Sequence, residues 1–141
     1  MIKCPFCSQE IINRQKIFET ESEYVFYNIR NSNKGRCLVI PKRHIASLDE
    51  MTDEELISFF KTVRLVAQKL KDYLSPAGIN YGLNEGDRAG QTIKHMHFHI
   101  IPRFDNDSFP HFHLFHGDKN LEKDLTLKEI KLLRDEFTKI F

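Results

Sequence analysis

Histidine and apolar side chains alternate in the run His95-Met96-His97-Phe98-His99-Ile100-Ile101. Successive side chains of a β-strand point to opposite faces, so the run predicts a strand over residues 93–101 with all three imidazoles on one face. The apolar residues on the other face are expected to pack against a core. Imidazole titrates close to neutral pH, which makes it the side chain most used for proton transfer and metal binding. Three of them in strict alternation therefore indicate a site for chemistry.

Three further segments have the composition of strands. Residues 23–27 and 36–40 are rich in β-branched and aromatic side chains, and the Asn-, Lys- and Gly-containing residues 31–35 between them are typical of a turn. These two segments predict a hairpin. Residues 79–83 predict another strand, which a glycine-containing loop over residues 84–92 connects to the histidine strand.

Two helices are indicated by capping boxes followed by apolar residues at helical spacing. The first begins at Thr52, which has Glu55 three residues later, and is expected to end at Ser75-Pro76. The second begins at Thr126 and covers about residues 126–140, with an apolar stripe of Leu127, Ile130, Leu133 and Phe137. Strands and helices in this order predict an α+β fold with an antiparallel sheet.

Composition excludes several classes of protein. The chain has 141 residues, of which 40% are hydrophobic and 29% charged, as expected for one globular domain over residues 1–141. No apolar run approaches the roughly 20 residues that span a bilayer, so we expect no membrane partner. The first residues lack the apolar stretch of a secretory signal, which favours the cytoplasm. The formal net charge of +1, with scattered lysines and arginines, argues against nucleic acid as the main partner.

The cysteines suggest a metal site. Cys4 and Cys7 have the C-x-x-C spacing that suits zinc binding or redox chemistry in a reducing compartment. A redox motif normally follows a strand and opens a helix, whereas only three residues precede Cys4, so zinc is favoured over redox chemistry or two buried thiols. A structural zinc needs four ligands, and the candidates for the other two are His44 and one of the strand histidines. Cys37 lies in an apolar run and is expected to be buried.

Three more histidines follow the strand, at positions 111, 113 and 116. Their segment mixes a proline with aromatic residues, which favours a loop packed over the site rather than ligation, and their role stays open.

The sequence resembles the histidine-triad family, whose signature is His, apolar, His, apolar, His, apolar, apolar. Residues 95–101 match this signature at every position, residues 38–44 resemble the family's preceding strand and loop, and residues 90–94 resemble the lead into its triad. The similarity covers residues 4 to about 103. It implies an α+β fold with an antiparallel sheet of about five strands and two main helices. It also implies a homodimer that acts on purine nucleotides or their conjugates.

The resemblance also implies roles for individual residues. His97 would be the nucleophile that attacks the α-phosphorus of a nucleotide and forms a nucleotidyl-histidine intermediate, and His99 would contact the phosphate or the leaving group. The zinc of family members that carry one would be structural here and held by Cys4, Cys7, His44 and His95. Other positions would bind the substrate: Phe26 and Ile29, with Phe6 as a further candidate, around the purine; Asn28 at the ribose; and Asn84, Gly90, Gln91 and Thr92 along the phosphates.

One departure concerns the ribose. Many family members have Asp where this chain has Asn28, whose amide can accept a hydrogen bond with one oxygen only. One amide oxygen still allows ribose binding, but this residue assigns neither the subfamily nor the physiological substrate.

Three functions compete at this point. The first is a hydrolase or transferase that acts through a covalent phosphoramidate, with the zinc remote from the reaction. The second is a hydrolase whose catalytic zinc is held by His95, His97 and another ligand, since a His-x-His pair on a strand can chelate one metal. The third is a non-catalytic nucleotide-binding protein with a regulatory role.

Overall fold

The chain forms an antiparallel sheet of five strands. The computed structural model describes residues 3–31, 33–107 and 123–141. The strands of the sheet are β1 (Lys16–Glu19), β2 (Glu23–Tyr27), β4 (Cys37–Pro41), β5 (Gly78–Leu83) and β6 (Phe98–Arg103). They lie in the order β1-β2-β4-β6-β5, and two short strands, β3 (Arg30–Asn31) and β7 (Lys123–Asp124), form a separate antiparallel pair. The predicted α+β class with an antiparallel sheet of about five strands is confirmed.

Helices α1 (Gln9–Gln15), α2 (Asp53–Leu74) and α3 (Leu127–Thr138) complete the fold. Both predicted capping boxes are present, since the Thr52 and Thr126 hydroxyls accept hydrogen bonds from the backbone N–H groups of Glu55 and Glu129. Helix α2 ends as predicted, with Ser75 in the left-handed region at φ 48°. The two main helices were therefore correctly predicted, whereas the short α1 and the strand β1 that follows it were not.

The predicted hairpin is formed by β2 and β4. Its register runs from Glu23 opposite Pro41 to Tyr27 opposite Cys37. The turn requires a glycine at position 35, where φ is +87° and an added Cβ would clash with a methyl carbon of Leu74. The Gly35 N–H donates to the Tyr27 hydroxyl at 3.0 Å, which ties the turn back to β2.

The two faces of the sheet bury different clusters. One face packs on α2 and α3 through residues such as Val39, Phe59, Met96 and Phe137. The other face carries a smaller cluster with the N-terminal segment, formed by Phe6, Ile12, Phe26, Leu38 and Ile40. Successive residues of β4 point alternately to these two faces, as expected for a β-strand. The smaller cluster lies on the histidine-bearing face and forms the floor of the candidate site.

The histidine strand differs in extent from its prediction. It begins at Phe98 rather than near Ile93 and continues through Pro102 to Arg103. Residues 93–97 leave the sheet because the Met96 N–H donates at 2.7 Å to the carbonyl of Ile45 in the loop after β4. This backbone bond of the segment is thus made with a loop and not with a neighbouring strand.

One side chain of the apolar stripe predicted for α3 lies outside the core. Leu127 is 65% exposed at the start of α3, whereas Ile130 and Phe137 are buried as predicted. Within the described residues, no helix is long and apolar enough to cross a membrane. His111, His113 and His116 lie outside the described residues, so the predicted loop packing of these histidines stays a prediction.

Candidate active site and metal centre

All three histidines of the signature are buried on the same side. Their exposed fractions are 1% for His95, 7% for His97 and 5% for His99, and Met96 and Ile100 on the opposite side are fully buried in the larger core. The rings of His97 and His99 lie edge to face with centroids 5.2 Å apart. The predicted sharing of one face therefore holds, although only His99 belongs to the regular strand.

Four side chains from three distant segments meet at one point and are able to hold a metal. The sulfur and nitrogen atoms of Cys4, Cys7, His44 and His95 all lie within 4.8 Å of one another. The sulfur of Cys4 is 3.3 Å from Nδ1 of His95, and that of Cys7 is 3.4 Å from Nδ1 of His44. Tetrahedral zinc with bonds of ~2.3 Å to sulfur and ~2.1 Å to nitrogen places such atoms about 3.6 Å apart. The donor set and spacing fit zinc.

Hydrogen bonding prepares His95 for this role. Its Nε2 lies 2.7 Å from the carbonyl oxygen of Pro41, which can only accept, so Nε2 carries the proton and Nδ1 keeps the lone pair toward the cysteines. Burial, with smaller contributions from His44 and His97, lowers the pKa of His95 and favours the neutral ring that a metal ligand requires. Such a partner fixes both the tautomer and the orientation of a ligating imidazole.

A cavity of about 300 Å³ opens beside the other two histidines. Five residues predicted to be functional line it together, although they come from separate segments: Asn28, Ile29, Thr92, His97 and His99. Phe6, named as a further candidate, also lines it, and its ring lies 5.2 Å from that of His97. The structure thus brings the predicted nucleophile, a predicted ribose contact and a predicted phosphate contact together in one cavity.

The tautomer of His97 follows from its backbone contact. Its Nδ1 lies 2.7 Å from the carbonyl oxygen of His95, so Nδ1–H is the donor and Nε2 is the basic nitrogen. Because that contact is local, the segment that carries the predicted zinc ligand also orients the ring of His97.

Four predicted substrate contacts lie outside the cavity lining. Phe26 is fully buried and packs against the lining residue Phe6, with the two ring centroids 5.8 Å apart. Asn84 and Gly90 belong to the loop between β5 and β6 but do not line the cavity. Gln91 is 4% exposed, and both ends of its amide make hydrogen bonds with backbone groups. The predicted direct contacts of these residues with the substrate stay predictions.

The contacts of Gln91 connect the two loops that flank the site. Its Oε1 accepts from the N–H of Gly86 at 2.9 Å, and its Nε2 donates to the carbonyl of Ala46 at 2.8 Å. Ala46 follows the predicted zinc ligand His44 by two residues. The buried side chain of Gln91 therefore connects the loop before the histidines to the loop that carries His44.

Several lining residues were missed by the sequence analysis. Among the described residues Arg36 is the largest fully buried side chain, and Arg30 and Asp124 line the same cavity. The alternation of β4 is the signal that could have found Arg36, because it shares a face with Leu38, which pairs with His99. The other lining residues that were not predicted are Pro5, Ile11, Gln15, Leu38 and Ile93.

Comparison with known proteins agrees with this arrangement. Residues 9–106 match the HIT domain family. An uncharacterized HIT-like protein of Methanocaldococcus jannaschii is 42% identical over 132 residues, which cover 91% of this chain and 98% of that protein. An asymmetrical bis(5′-nucleosyl)-tetraphosphatase of Schizosaccharomyces pombe is 36% identical over 103 residues, covering 73% of this chain and 57% of that enzyme.

A solved structure shares both fold and overall length. A zinc-bound histidine triad family protein of Mycobacterium smegmatis superposes with a TM-score of 0.70 and 26% identity, covering 99% of this chain and 96% of that one. With its signature, its sheet and these relatives, the chain belongs to the histidine-triad (HIT) family. Some of its relatives are hydrolases of dinucleoside polyphosphates.

Proposed function

We propose that this protein hydrolyses or transfers purine nucleotide conjugates, such as nucleoside phosphoramidates or dinucleoside polyphosphates, at the α-phosphate. The observation that carries the proposal is the bond from Nδ1–H of His97 to the His95 carbonyl, because it makes Nε2 the nucleophilic nitrogen of a ring that lines the cavity. A neutral imidazole is a competent nucleophile near neutral pH. The dinucleoside polyphosphatase of Schizosaccharomyces pombe supports the same substrate class.

The reaction would proceed in two displacements at phosphorus. The Nε2 lone pair of His97 attacks the α-phosphorus, the bond to the leaving group breaks, and a nucleotidyl-histidine forms. Water then attacks the same phosphorus, the phosphorus–nitrogen bond breaks, and a nucleoside monophosphate is released with the proton of water transferred to the departing imidazole. His99, whose ring lies 5.2 Å from that of His97, is placed to contact the phosphate oxygens or the leaving group.

The remaining lining residues suit the rest of a nucleotide. Phe6, Ile29 and Leu38 offer apolar surface for a purine, and Asn28, which lines the same cavity, offers an amide for the ribose. Thr92 also lines the cavity and offers a hydroxyl for the attacked phosphate. Apolar surface with a few placed polar groups is the usual make-up of a small-molecule site.

The zinc is proposed to be structural. Cys4, Cys7, His44 and His95 would hold it, and the metal would fix the segment that orients His97 without contacting substrate. The zinc-bound relative of Mycobacterium smegmatis supports a metal in this fold. A catalytic zinc on His95 and His97 is disfavoured, because the atoms that cluster with His95 are two thiols and His44, and Nδ1 of His97 is engaged with a carbonyl.

We also propose a homodimer formed through α2 and the edge strand β5. Phe60 and Tyr81 are 43% and 44% exposed, and together with Phe98 they line an apolar groove between this helix and this strand. An edge strand presents unpaired backbone groups, and an exposed apolar groove beside it favours a second copy of the chain as occupant.

Replacement of His97 by Asn tests the nucleophile. We expect the variant to keep nucleotide binding and zinc content and to lose turnover by several orders of magnitude, on the scale of ~10⁶ for removal of an essential nucleophile. Intact-mass spectrometry after rapid quenching without acid should find one nucleoside monophosphate added to the wild-type chain and none added to the variant. Replacement of His99 by Asn is the matched comparison and should cost less.

Two outcomes would favour the alternatives. If the His97 variant loses its zinc together with its activity, the catalytic-zinc hydrolase gains support. If wild-type protein binds nucleotides but turns over none of a panel of phosphoramidates and dinucleoside polyphosphates, the non-catalytic regulatory function replaces the enzyme.

A further inference from the structure

One buried polar side chain in the wall of the cavity receives no hydrogen bond from the residues that the structure describes. Gln15 is 5% exposed and lines the same cavity as the apolar residues proposed to contact the purine. Within the described part of the chain, its side-chain amide neither donates to nor accepts from another group. Burial of an amide without a hydrogen bond costs free energy, so such groups in folded proteins normally have a partner. We therefore expect a ligand in the cavity to supply it.

Helix α1 turns the side chain of Gln15 toward the cavity. Ile11 and Gln15 are one helical turn apart and share a face of α1, and both line the cavity. Ile12 belongs to the apolar floor, while Glu10 and Arg14 form an ion pair on the solvent side of the helix. The amide atoms of Gln15 also keep accessible surface, since they are not among the enclosed atoms that lack a partner in the described residues.

The surroundings of Gln15 suit the base of a nucleotide better than its phosphates. The ring of Phe6 lies 5.2 Å from that of His97, and Phe6 packs in one cluster with Ile12 of α1. The apolar surface proposed for the purine therefore continues from Phe6 to the helix that carries Gln15. A base that lies on apolar surface keeps the polar groups of its edge available, and a neutral amide is a side chain that reads such edges.

The chemistry of the amide favours one purine over the other. An amide offers donors and an acceptor at the same end of the side chain, and adenine presents the complementary pair, because its 6-amino group donates and the ring nitrogens on either side accept. Guanine has two acceptors, O6 and N7, on the corresponding edge. It can donate through N1–H, but the 2-amino group beside N1 is then a further donor, for which Ile11 on the same helix face has no acceptor.

We propose that Gln15 determines the specificity for the base, with its amide bound to the 6-amino group and an adjacent ring nitrogen of adenine. The preferred substrates are then adenosine conjugates and not guanosine conjugates. This inference rests on the proposed function, which places a purine in the cavity. It adds directional hydrogen bonds to apolar contacts, and a site that bonds an N–H group of its substrate discriminates against analogues without that group.

Calorimetric binding of nucleoside 5′-monophosphates to the zinc-loaded wild-type protein tests the assignment without turnover. Three ligands would be compared: adenosine 5′-monophosphate, purine riboside 5′-monophosphate, which lacks the 6-amino group, and guanosine 5′-monophosphate. We expect the adenosine nucleotide to bind about tenfold more tightly than either of the other two, which is the effect of one or two neutral hydrogen bonds.

Replacement of Gln15 by Met assigns this preference to the amide. Gln15→Met keeps the length of the side chain and removes both polar atoms. The variant should bind adenosine 5′-monophosphate more weakly and purine riboside 5′-monophosphate with nearly unchanged affinity, so that the preference disappears. Gln9→Met is the matched control, because Gln9 lies on the same helix, bonds to Asn13 at 2.8 Å and does not line the cavity. It should keep the full preference.

Replacement of Gln15 by Glu tests the hydrogen bonding by a change that a merely structural role would not produce. A carboxylate offers two acceptors, which suit N1–H and the 2-amino group of guanine and oppose the ring nitrogen of adenine. Gln15→Glu should therefore prefer guanosine 5′-monophosphate to adenosine 5′-monophosphate. Thermal unfolding checks that each variant is folded, and if the buried carboxylate prevents folding, the Gln15→Met variant decides the test.

The outcomes separate this inference from the proposed function. Equal binding of the adenosine and purine riboside nucleotides by the wild-type protein, or tighter binding of the guanosine nucleotide, would overturn the role of Gln15 alone. A preference for adenosine 5′-monophosphate that persists in Gln15→Met would also overturn it, because another group would then recognise the base. No measurable binding of any of the three nucleotides would contradict the proposed function itself.

Discussion

At the scale of single residues, the site depends on which nitrogen of each imidazole carries a proton. His95 donates from Nε2 to Pro41, and His97 donates from Nδ1 to His95. Two histidines that are two positions apart therefore present different nitrogens to their surroundings. The lone pair of His95 is on Nδ1, toward the metal cluster, and that of His97 is on Nε2. Because each ring donates to a different carbonyl, two side chains of the same type differ in their chemistry.

The metal cluster makes a prediction at this scale. Replacing Cys4 by Ala should abolish stoichiometric zinc binding and lower the melting temperature, because zinc in small sites contributes ~10–16 kcal/mol of apparent binding energy. Metal analysis and thermal unfolding of the purified variant measure both effects. Cys37→Ser is the matched control, since Cys37 is buried away from the cluster with its thiol donating to the Gly35 carbonyl. One zinc per chain retained in the Cys4 variant would rule out the proposed ligand set.

At the scale of elements, the start of α2 links the helix to the loop of the metal cluster. Glu55 caps the helix by accepting from the Thr52 N–H, and it also accepts two hydrogen bonds from Arg43, the residue before His44. The side chain of Gln91 fastens the loop before the histidines to Ala46 on the other side. The predicted zinc ligand His44 is thus held between two polar contacts that belong to different elements.

Glu55 gives this link a pH dependence. Its hydrogen bonds with Arg43, and then with the Thr52 N–H, lower its pKa from 4.5 to about 2. A carboxyl whose pKa is lowered by folding stabilises the fold above its unfolded pKa, and that contribution is lost as pH falls from 4.5 toward about 2. Glu55→Gln should therefore be less stable than wild type at neutral pH, and the difference should shrink through that range.

Urea unfolding at a series of pH values measures the effect. Because Glu55 and Arg43 are partly exposed, added salt should also reduce the difference. Glu54→Gln removes the same charge from the neighbouring position of the helix and serves as control. A stability difference between wild type and the Glu55 variant that is the same at every pH would show that the ion pair contributes nothing.

At the scale of the whole molecule, one side of the sheet builds the core and the other side builds the candidate site. Helices α2 and α3 cover one side and build the larger core, while the N-terminal segment and α1 cover the other and enclose the cavity. The metal cluster connects this segment to the rest, because Cys4 and Cys7 come from it and His44 and His95 from the sheet side. Loss of zinc is expected to release the segment that carries Phe6, and with it one wall of the cavity.

The proposed dimer is tested by its exposed apolar groove. Phe60→Asp should convert the protein to a monomer in light scattering after gel filtration, because a carboxylate would have to lose its water at the interface. Leu132→Asp is the matched control, since Leu132 is 60% exposed on α3 and lies outside the groove. A wild-type protein that is monomeric at high concentration, or a Phe60 variant that stays dimeric, would contradict this surface.

The sequence by itself determined the local patterns and the chemistry they carry. The alternation of residues 95–101 predicted the shared face of the histidines, the capping boxes at Thr52 and Thr126 predicted both main helices, and residues 31–35 predicted the hairpin. These features depend on periodicity and on contacts between residues that are close in the sequence, and both can be read directly from the sequence.

Only the tertiary structure decided which distant residues meet. The histidine strand begins at Phe98 because Met96 bonds to Ile45, about fifty residues earlier in the chain, and no local pattern encodes that contact. The position of Arg36 in the cavity lining and the contact of Gln91 with Ala46 also depend on residues that are distant in the sequence. The exposure of Leu127 likewise depends on what α3 packs against. Periodicity predicts which face of a helix is apolar, but only tertiary packing decides how much of that face is buried.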